Sequence, residues 1–335
     1  MWEPGLWLPR NVSWQDVPPR FDHLKYPILA AVPLTCIRIL YEAFVGIPLG
    51  YFLGYGSGTL YERIRHHLFF GFAKNSKSKK VLESFYRFSF YTFIFIYGFV
   101  TLKDEPWFYD VRLCWIDYPR HPIPNTVWWY YMSEMSFYCS LVVSSLFDSH
   151  RRDFWQMFVH HLVTIGLISI SWTINFVRVG TLVLVSHDIS DVILEFSKLI
   201  RYDKKLAKKY INALFIVFIT SWTLTRIGYF PFFIIRSAIF DAPQLIQPDY
   251  NLLNISQPPY APRLIIGLLF CLLGLHLFWT AIIFRIVIRT VTEGEAKDVR
   301  SDDEEEENEN EEERKLNEDS TREADECKVR KRNRS

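Results

Sequence analysis

Seven stretches of this chain are long and apolar enough to cross a bilayer as helices, and they leave few folds open. They lie near 28–53, 85–102, 129–147, 154–175, 178–199, 210–235 and 263–290. A crossing helix needs about 20 largely apolar residues. The second and third stretches are short and rich in aromatic residues. The expected fold is an all-α polytopic membrane protein with about seven transmembrane helices. The N-terminus lacks a basic segment, an apolar core and a small-residue cleavage site in sequence, so the first span is expected to act as the targeting signal.

The charges follow the same division. The net charge of +1 describes neither part of the chain. Residues 293–335 carry eighteen acids and ten bases, net −8, while the remainder carries nineteen acids and twenty-eight bases, net +9. This predicts a membrane body with a disordered charged tail. Cys36, Cys114, Cys139, Cys271 and Cys327 form no CxxC pair, and at least three lie within spans. Neither a zinc site nor a disulfide framework is indicated.

Basic residues predict orientation. The connection 54–84 holds Arg63, Arg65, Lys74, Lys77, Lys79 and Lys80, and 200–209 holds Arg201, Lys204, Lys205, Lys208 and Lys209. The short connection 148–153 holds Arg151 and Arg152. Basic connections face the cytosol, which puts the N-terminus in the lumen and the acidic C-terminal tail in the cytosol. Two glycosylation sequons, Asn11-Val-Ser13 and Asn254-Ile-Ser256, then both fall on the lumenal side, as glycan acceptors must.

Two of the apolar stretches carry polar clusters. His160-His161 sits in FWQMFVHHLVTIGLISISW, and His187-Asp188 with Asp191 sits in TLVLVSHDISDVILEF. A charged residue at the centre of a membrane helix costs roughly 2.5–3.5 kcal/mol on insertion scales, so such groups are functional candidates by default. His160 and His161 lie about 10 Å into the fourth span, and Asp191 and Asp188 roughly 12–16 Å from the end of the fifth, at 1.5 Å per residue. Both clusters are thus expected in the cytosolic half of the bilayer, on two helices whose short connection favours antiparallel packing. Asp188 and Asp191 share a face at i,i+3, and His187 can meet Asp191 at i,i+4. Adjacent residues on a helix point about 100° apart, so one of His160 and His161 is expected to react while the other orients it or binds an aspartate.

These groups suit acyl transfer. An unprotonated imidazole removes a proton from an incoming amine or hydroxyl, or attacks a thioester itself, and a carboxylate fixes its tautomer. Two rivals stay open. The residues can be structural, knitting two helices together. A zinc site from His160, His161 and an aspartate is also geometrically allowed. Membrane di-iron enzymes use several HxxHH-type boxes, whereas here one HH pair lies within a span, and His66-His67 lies in a basic loop.

The stretch from Arg151 to Tyr202, RRDFWQMFVHHLVTIGLISISWTINFVRVGTLVLVSHDISDVILEFSKLIRY, resembles the signature segment of the ceramide synthases, the longevity-assurance family of the TLC-domain group. Weaker resemblance runs through ESFYRFSFYTF at 83–93, WFYDVRLCWIDYP at 107–119, YYMSEMSFYCSL at 130–141 and TRIGYFPFFII at 225–235, covering roughly 27–292. The resemblance implies a TLC-domain fold and N-acylation of a sphingoid long-chain base by acyl-CoA in the endoplasmic reticulum membrane, giving (dihydro)ceramide. It maps the family's essential residues onto His160, His161, Asp188 and Asp191, with His187, Asn175 and Arg178 in support. Asn175 and Arg178 flank the turn between the two reactive helices and are expected to fix it. Arg151, Arg152, Arg201, Lys204 and Lys205 ring the cytosolic opening and are candidates for CoA phosphates. The simpler account of those bases is the positive-inside rule. No cofactor and no metal are expected, acyl-CoA serving as co-substrate. Expected partners are acyl-CoA, the sphingoid base and membrane lipid, with a homo- or heterodimer admitted. A TLC-domain protein that binds, senses or chaperones lipid without catalysis is the alternative.

The implied organisation is a lumenal segment 1–27, a first span 28–53, a basic cytosolic connection 54–84, a catalytic TLC domain 85–292 with six spans, and a disordered tail 293–335. About thirty residues at 54–84 are too few for the homeobox-like segment of many animal relatives, so no nucleic-acid binding is expected. The connection 236–262 looks longer than in relatives, which leaves the preferred chain length open. Arg38 and Glu42 can pair at i,i+4, Glu134 and Arg226 are candidate partners across helices, and Glu195 and Lys198 are expected near the cytosolic opening. Ser301 precedes ten acids in the twelve residues 302–313, a pattern that suits an acidophilic kinase. The terminal KVRKRNRS can touch anionic lipid.

Overall fold

A computed structural model describes residues 3–18, 21–55, 58–73, 76–148 and 153–293. Among them are long helices and short helical turns, and no strand. We label the long helices α1 (Lys25–Tyr41), α2 (Lys77–Leu102), α3 (Asn125–Ser144), α4 (Phe154–Thr173), α5 (Val177–Tyr202), α6 (Lys204–Trp222) and α7 (Ala261–Glu293). Helix α1 continues through a wide turn, Glu42–Gly46, into Ile47–Phe52. Helix α6 continues through a wide-turn stretch, Thr223–Ile235, that contains Pro231. Wide turns of this i→i+5 kind are rare and recur at functional sites. Thr223–Ile235 is thus a candidate functional segment as well as an apolar one.

The chain forms two compact units, residues 1–150 with 154–281, and residues 151–153 with 282–335. The described part of the second is Asp153 and the last turns of α7. Arg151, Arg152, Ser301, Cys327 and the tail lie outside the described residues, as does the side chain of Lys204. The four described cysteines are free.

Among the described residues, five stretches are long and apolar enough to cross a membrane: Phe21–Phe52, Lys77–Leu102, Phe154–Thr173, Lys205–Ile246 and Ala261–Thr290. Helices α3 and α5 fall short of that apolarity. The reason is their position. Glu134, Asp188 and Glu195 on these helices are buried against other helices, so α3 and α5 need not be apolar all round. Helix α5 packs chiefly against α2 and α6, and α3 against α1 and α4. The expected close pairing of α4 with α5 is slight; α6 and α2 are the main neighbours of α5 instead.

The segment 54–84 is more structured than a connection. Thr59 and Glu62 form a reciprocal cap that starts a helix, Leu60–His66. Ser76 accepts a hydrogen bond from the Lys79 amide and starts α2 eight residues earlier than the apolar pattern implies. His67 is buried and faces Glu42 at 3.2 Å, so the His66-His67 pair is not merely part of a solvated loop.

Asn175 ends α4 with φ of 61°, a conformation that asparagine tolerates better than most residues. Its fully buried amide donates to the carbonyls of Pro119, at 2.6 Å, and His121, at 3.0 Å. Arg178 donates to the carbonyls of Leu113 and Ile116 and lies over the Trp107 ring. Together they tie the α4–α5 turn to the segment 106–121. His121 in that segment is 2% exposed, and neither ring nitrogen has a hydrogen-bond partner. Burial, with Arg178 nearby, pushes its pKa down to about 3. An unfolded chain binds the proton near pH ~6.5, so stability is full above that value and falls below it by about 1.4 kcal/mol per pH unit. We expect the thermal midpoint to drop as pH falls from ~6 to ~4, and His121→Phe to remove that component. Identical pH profiles for the two proteins would contradict this assignment.

Candidate functional site

The polar groups of α3, α4, α5, α6 and α7 converge inside the first unit. On α5, Asp188 is fully buried and accepts a hydrogen bond from the Tyr130 hydroxyl at 3.1 Å. Tyr130 reaches this position because α2 has a glycine opposite: a Cβ at Gly98 would come within 2.7 Å of its ring. Glu134, one turn along α3 from Tyr130, is also fully buried and lies against Asp188. Asp191, on the same face of α5, pairs with Arg226 at 2.7 Å.

Arg226 organises this side of the site. It is 3% exposed and sits in the wide-turn stretch after α6. Its Nε donates to the Ser190 hydroxyl at 2.9 Å and its Nη2 to the His187 carbonyl at 3.1 Å, while the Trp222 ring covers its face at 4.6 Å. A planar, five-donor guanidinium can hold several acceptors on one helix at once. The sequence suggested Glu134 as its partner. The structure pairs it with Asp191, because Glu134 faces Asp188 on the α3 side of α5.

His187 does not bond Asp191. Its Nδ1 lies 2.6 Å from the Val183 carbonyl, which makes Nδ1 the donor and leaves Nε2 as the free lone pair. That Nε2 is buried without a hydrogen-bond partner. The ring lies 4.9 Å from the ring of His276 on α7, and both rings pack on Phe230. His276 is fully buried, and neither of its nitrogens is hydrogen-bonded. Sequence reasoning passed over it. The one available signal was a histidine inside LLGLHLFW, an otherwise apolar run.

His160 and His161 diverge, as their 100° separation requires. Their rings are 5.7 Å apart, with Tyr138 of α3 about equally near both. His160 packs edge-on against Trp279 at 5.5 Å and lies within electrostatic reach of His187 and Arg226. His161 is turned toward Arg87 and Asp148. Neither histidine is hydrogen-bonded to Asp188 or Asp191; the aspartates are engaged by Tyr130 and Arg226 instead. The Nδ1 atoms of both histidines are buried without partners, as is Asp188 Oδ1. Among the described residues, no group of three His, Cys, Asp or Glu side chains is arranged to hold a metal ion.

A second charged cluster closes one end of the bundle. Arg38 of α1 pairs with Glu42 at 2.8 Å, as its spacing implied, and clasps Asp148 with both Nη atoms at 3.0 and 2.7 Å. Arg87 also reaches Asp148, and Lys79 reaches Glu83. Burial opposes the charge on Asp148, but the guanidinium groups of Arg38 and Arg87 outweigh it and hold the carboxyl below the usual range. Glu195 and Lys198 pair at 2.6 Å on the same stretch of α5. Arg201 is half-buried on the last turn of α5, and Lys205 is exposed at the start of α6.

Comparison with known proteins bears on the whole chain. Residues 80–285 match the TLC-domain family. Ceramide synthase hyl-1 of Caenorhabditis elegans is 54% identical over 307 residues, covering 90% of this chain and 83% of that protein. Ceramide synthase hyl-2 of the same organism is 42% identical over 316 residues, covering 91% and 94%. Human ceramide synthase 5 is 35% identical over 350 residues, covering 90% and 86%. With relatives this similar over nine-tenths of its length, the chain belongs to the ceramide synthase family of TLC-domain proteins.

Proposed function

We propose that this ceramide synthase transfers a fatty acyl group from acyl-CoA to the amine of a sphingoid long-chain base, in the endoplasmic reticulum membrane, with His160 at the reacting centre. The observation that carries the reading is a pair of buried imidazole nitrogens without hydrogen-bond partners on neighbouring helices, His160 Nδ1 on α4 and His187 Nε2 on α5, with the Asp188 carboxyl next to His187 in the chain. An apolar protein interior leaves such atoms unpaired only at a cost, and a polar substrate head offsets it. His160 takes the proton from the base's amine as nitrogen attacks the thioester carbonyl, and the proton goes on to the departing CoA sulfur. In the covalent variant His160 first accepts the acyl group as an acyl-imidazole. His161, Asp188 and Asp191 hold the catalytic geometry, the last through Arg226, with His187 lining the site and Asn175 and Arg178 setting the turn.

Seven crossings, with a lumenal N-terminus and a cytosolic C-terminus, fit the contacts between connections. At one end Arg10 pairs with Asp249, Arg120 with Asp16, and the Tyr260 amide donates to the Leu6 carbonyl. At the other, Tyr55 donates to Asp203 and Lys79 to the Phe147 carbonyl. Alternate connections thus meet at alternate ends, which supports the reading that successive long helices cross in opposite directions. The sequons Asn11 and Asn254 are both exposed at the first end. Arg201 and Lys205 lie at the second, where they suit CoA phosphates; Arg151, Arg152 and Lys204 are proposed for the same role from their place in the sequence alone. The domain limits 1–27, 28–53, 54–84, 85–292 and 293–335 belong to the same proposal, as do a glycan on either sequon, phosphate on Ser301, and a homo- or heterodimer. No cofactor beyond acyl-CoA is required.

Purified protein in liposomes, given sphinganine and labelled acyl-CoA, is expected to form labelled dihydroceramide. A protein that binds the base but never turns over would favour a non-catalytic lipid-binding role.

A further inference from the structure

Two apolar cavities lie end to end between α4, α5, α7 and the segment 234–250. The first, about 50 Å³, is lined by a residue one helical turn from each of three histidines of the site: Thr164 follows His160 by four residues, Val183 precedes His187 by four, and Leu272 precedes His276 by four. It runs toward Phe176 at the α4–α5 turn. The second, about 40 Å³, continues beyond Phe176 among Tyr118, Pro243, Ile246 and Trp7 of the N-terminal segment. Phe176, Ala238 and Ile265 line both, so these three side chains form the wall between them.

We propose that the two cavities are one acyl-chain channel divided by a septum of Phe176, Ala238 and Ile265, and that this septum sets the longest acyl chain the protein accepts. The inference rests on the acyl-transfer reading above. The acyl chain, rather than the chain of the base, is assigned to the channel because it is continuous with the carbonyl that must reach His160. Thr164, one helical turn from His160, lines the first cavity. The septum is firmly built: Phe176 is 7% exposed and held edge-on by Trp115 at 5.1 Å and Tyr118 at 4.9 Å. Protein interiors are close-packed, so a methylene arriving at such a wall displaces side chains instead of gaining contact. One methylene too many in an apolar pocket is discriminated roughly 10–200-fold. Ala238 is the thin point of the wall, where a larger side chain would thicken it toward the first cavity.

The test is a ladder of saturated acyl-CoAs, myristoyl to cerotoyl, with sphinganine fixed, and a parallel ladder of long-chain bases with one acyl-CoA fixed. Full-length protein in liposomes is compared with Phe176→Leu, Ile265→Val and Ala238→Leu. Phe176→Leu and Ile265→Val should raise kcat/KM for the first poorly used chain at least about tenfold relative to a short one. Ala238→Leu should move the cut-off the other way. Ala238→Leu adds bulk while the other two remove it, so general destabilisation cannot produce both shifts. Unchanged acyl profiles in variants that elute like the parent, or a shift confined to the base ladder, would overturn the septum. A parent protein that makes no ceramide from any acyl-CoA would instead overturn the acyl-transfer reading.

Discussion

His160→Ala should lower ceramide formation by about 10²–10⁴-fold, the range for removing a positioned general base, at unchanged abundance and elution. His161→Ala should lose less. The difference follows from the two rings' surroundings. His160 packs on Trp279 and faces the side of the site that holds His187 and Arg226. His161 lies within electrostatic reach of Arg87 and Asp148 instead. If the acyl group passes through His160, mass spectrometry of protein quenched after acyl-CoA alone should find the adduct there and lose it in His160→Ala. Full activity in His160→Ala would remove it from the reaction, and equal losses in both variants would show that the pair acts as a unit.

Arg38→Met should destabilise the protein by roughly 3–5 kcal/mol, the usual consequence of removing one partner from a buried ion pair. Glu42, Glu83 and Asp148 converge on this guanidinium, which is 3% exposed. Without it their charge is buried with only Arg87, Lys79 and His67 to meet it. The measurement is the thermal midpoint in detergent together with abundance in membranes. Asp148→Asn in the Arg38→Met background should recover part of the loss, because it removes one of the carboxylates left behind. A double variant no more stable than the single would mean that Arg38 acts through packing on Tyr86 and not through charge.

Much of the architecture was legible from local chemistry. Apolar stretches placed the long helices, because a lipid-facing helix must be apolar over its whole length. The failures of that rule are informative. Helices α3 and α5 carry less apolar sequence because neighbouring helices, not lipid, surround the faces that hold Glu134, Asp188 and Glu195. Periodicity correctly paired Arg38 with Glu42, since i,i+4 neighbours meet on any helix. The same rule failed for His187 and Asp191. The imidazole bonds its own helix at Val183, and Arg226 from another helix takes the carboxylate.

The sequence by itself determined the helical class, the basic and acidic division of the chain, the family, and the four polar residues that a membrane helix would not otherwise carry. Each of these depends on composition and on near neighbours, which a linear chain displays. Only the tertiary structure decided how those residues are partnered: Asp188 with Tyr130 and Glu134, Asp191 with Arg226, His187 beside His276, and His160 turned away from His161. Phe176, Ala238 and Ile265 are far apart in the chain and meet as one wall for the same reason. Contacts between helices depend on rotation and crossing angle, and packing of every other helix sets these.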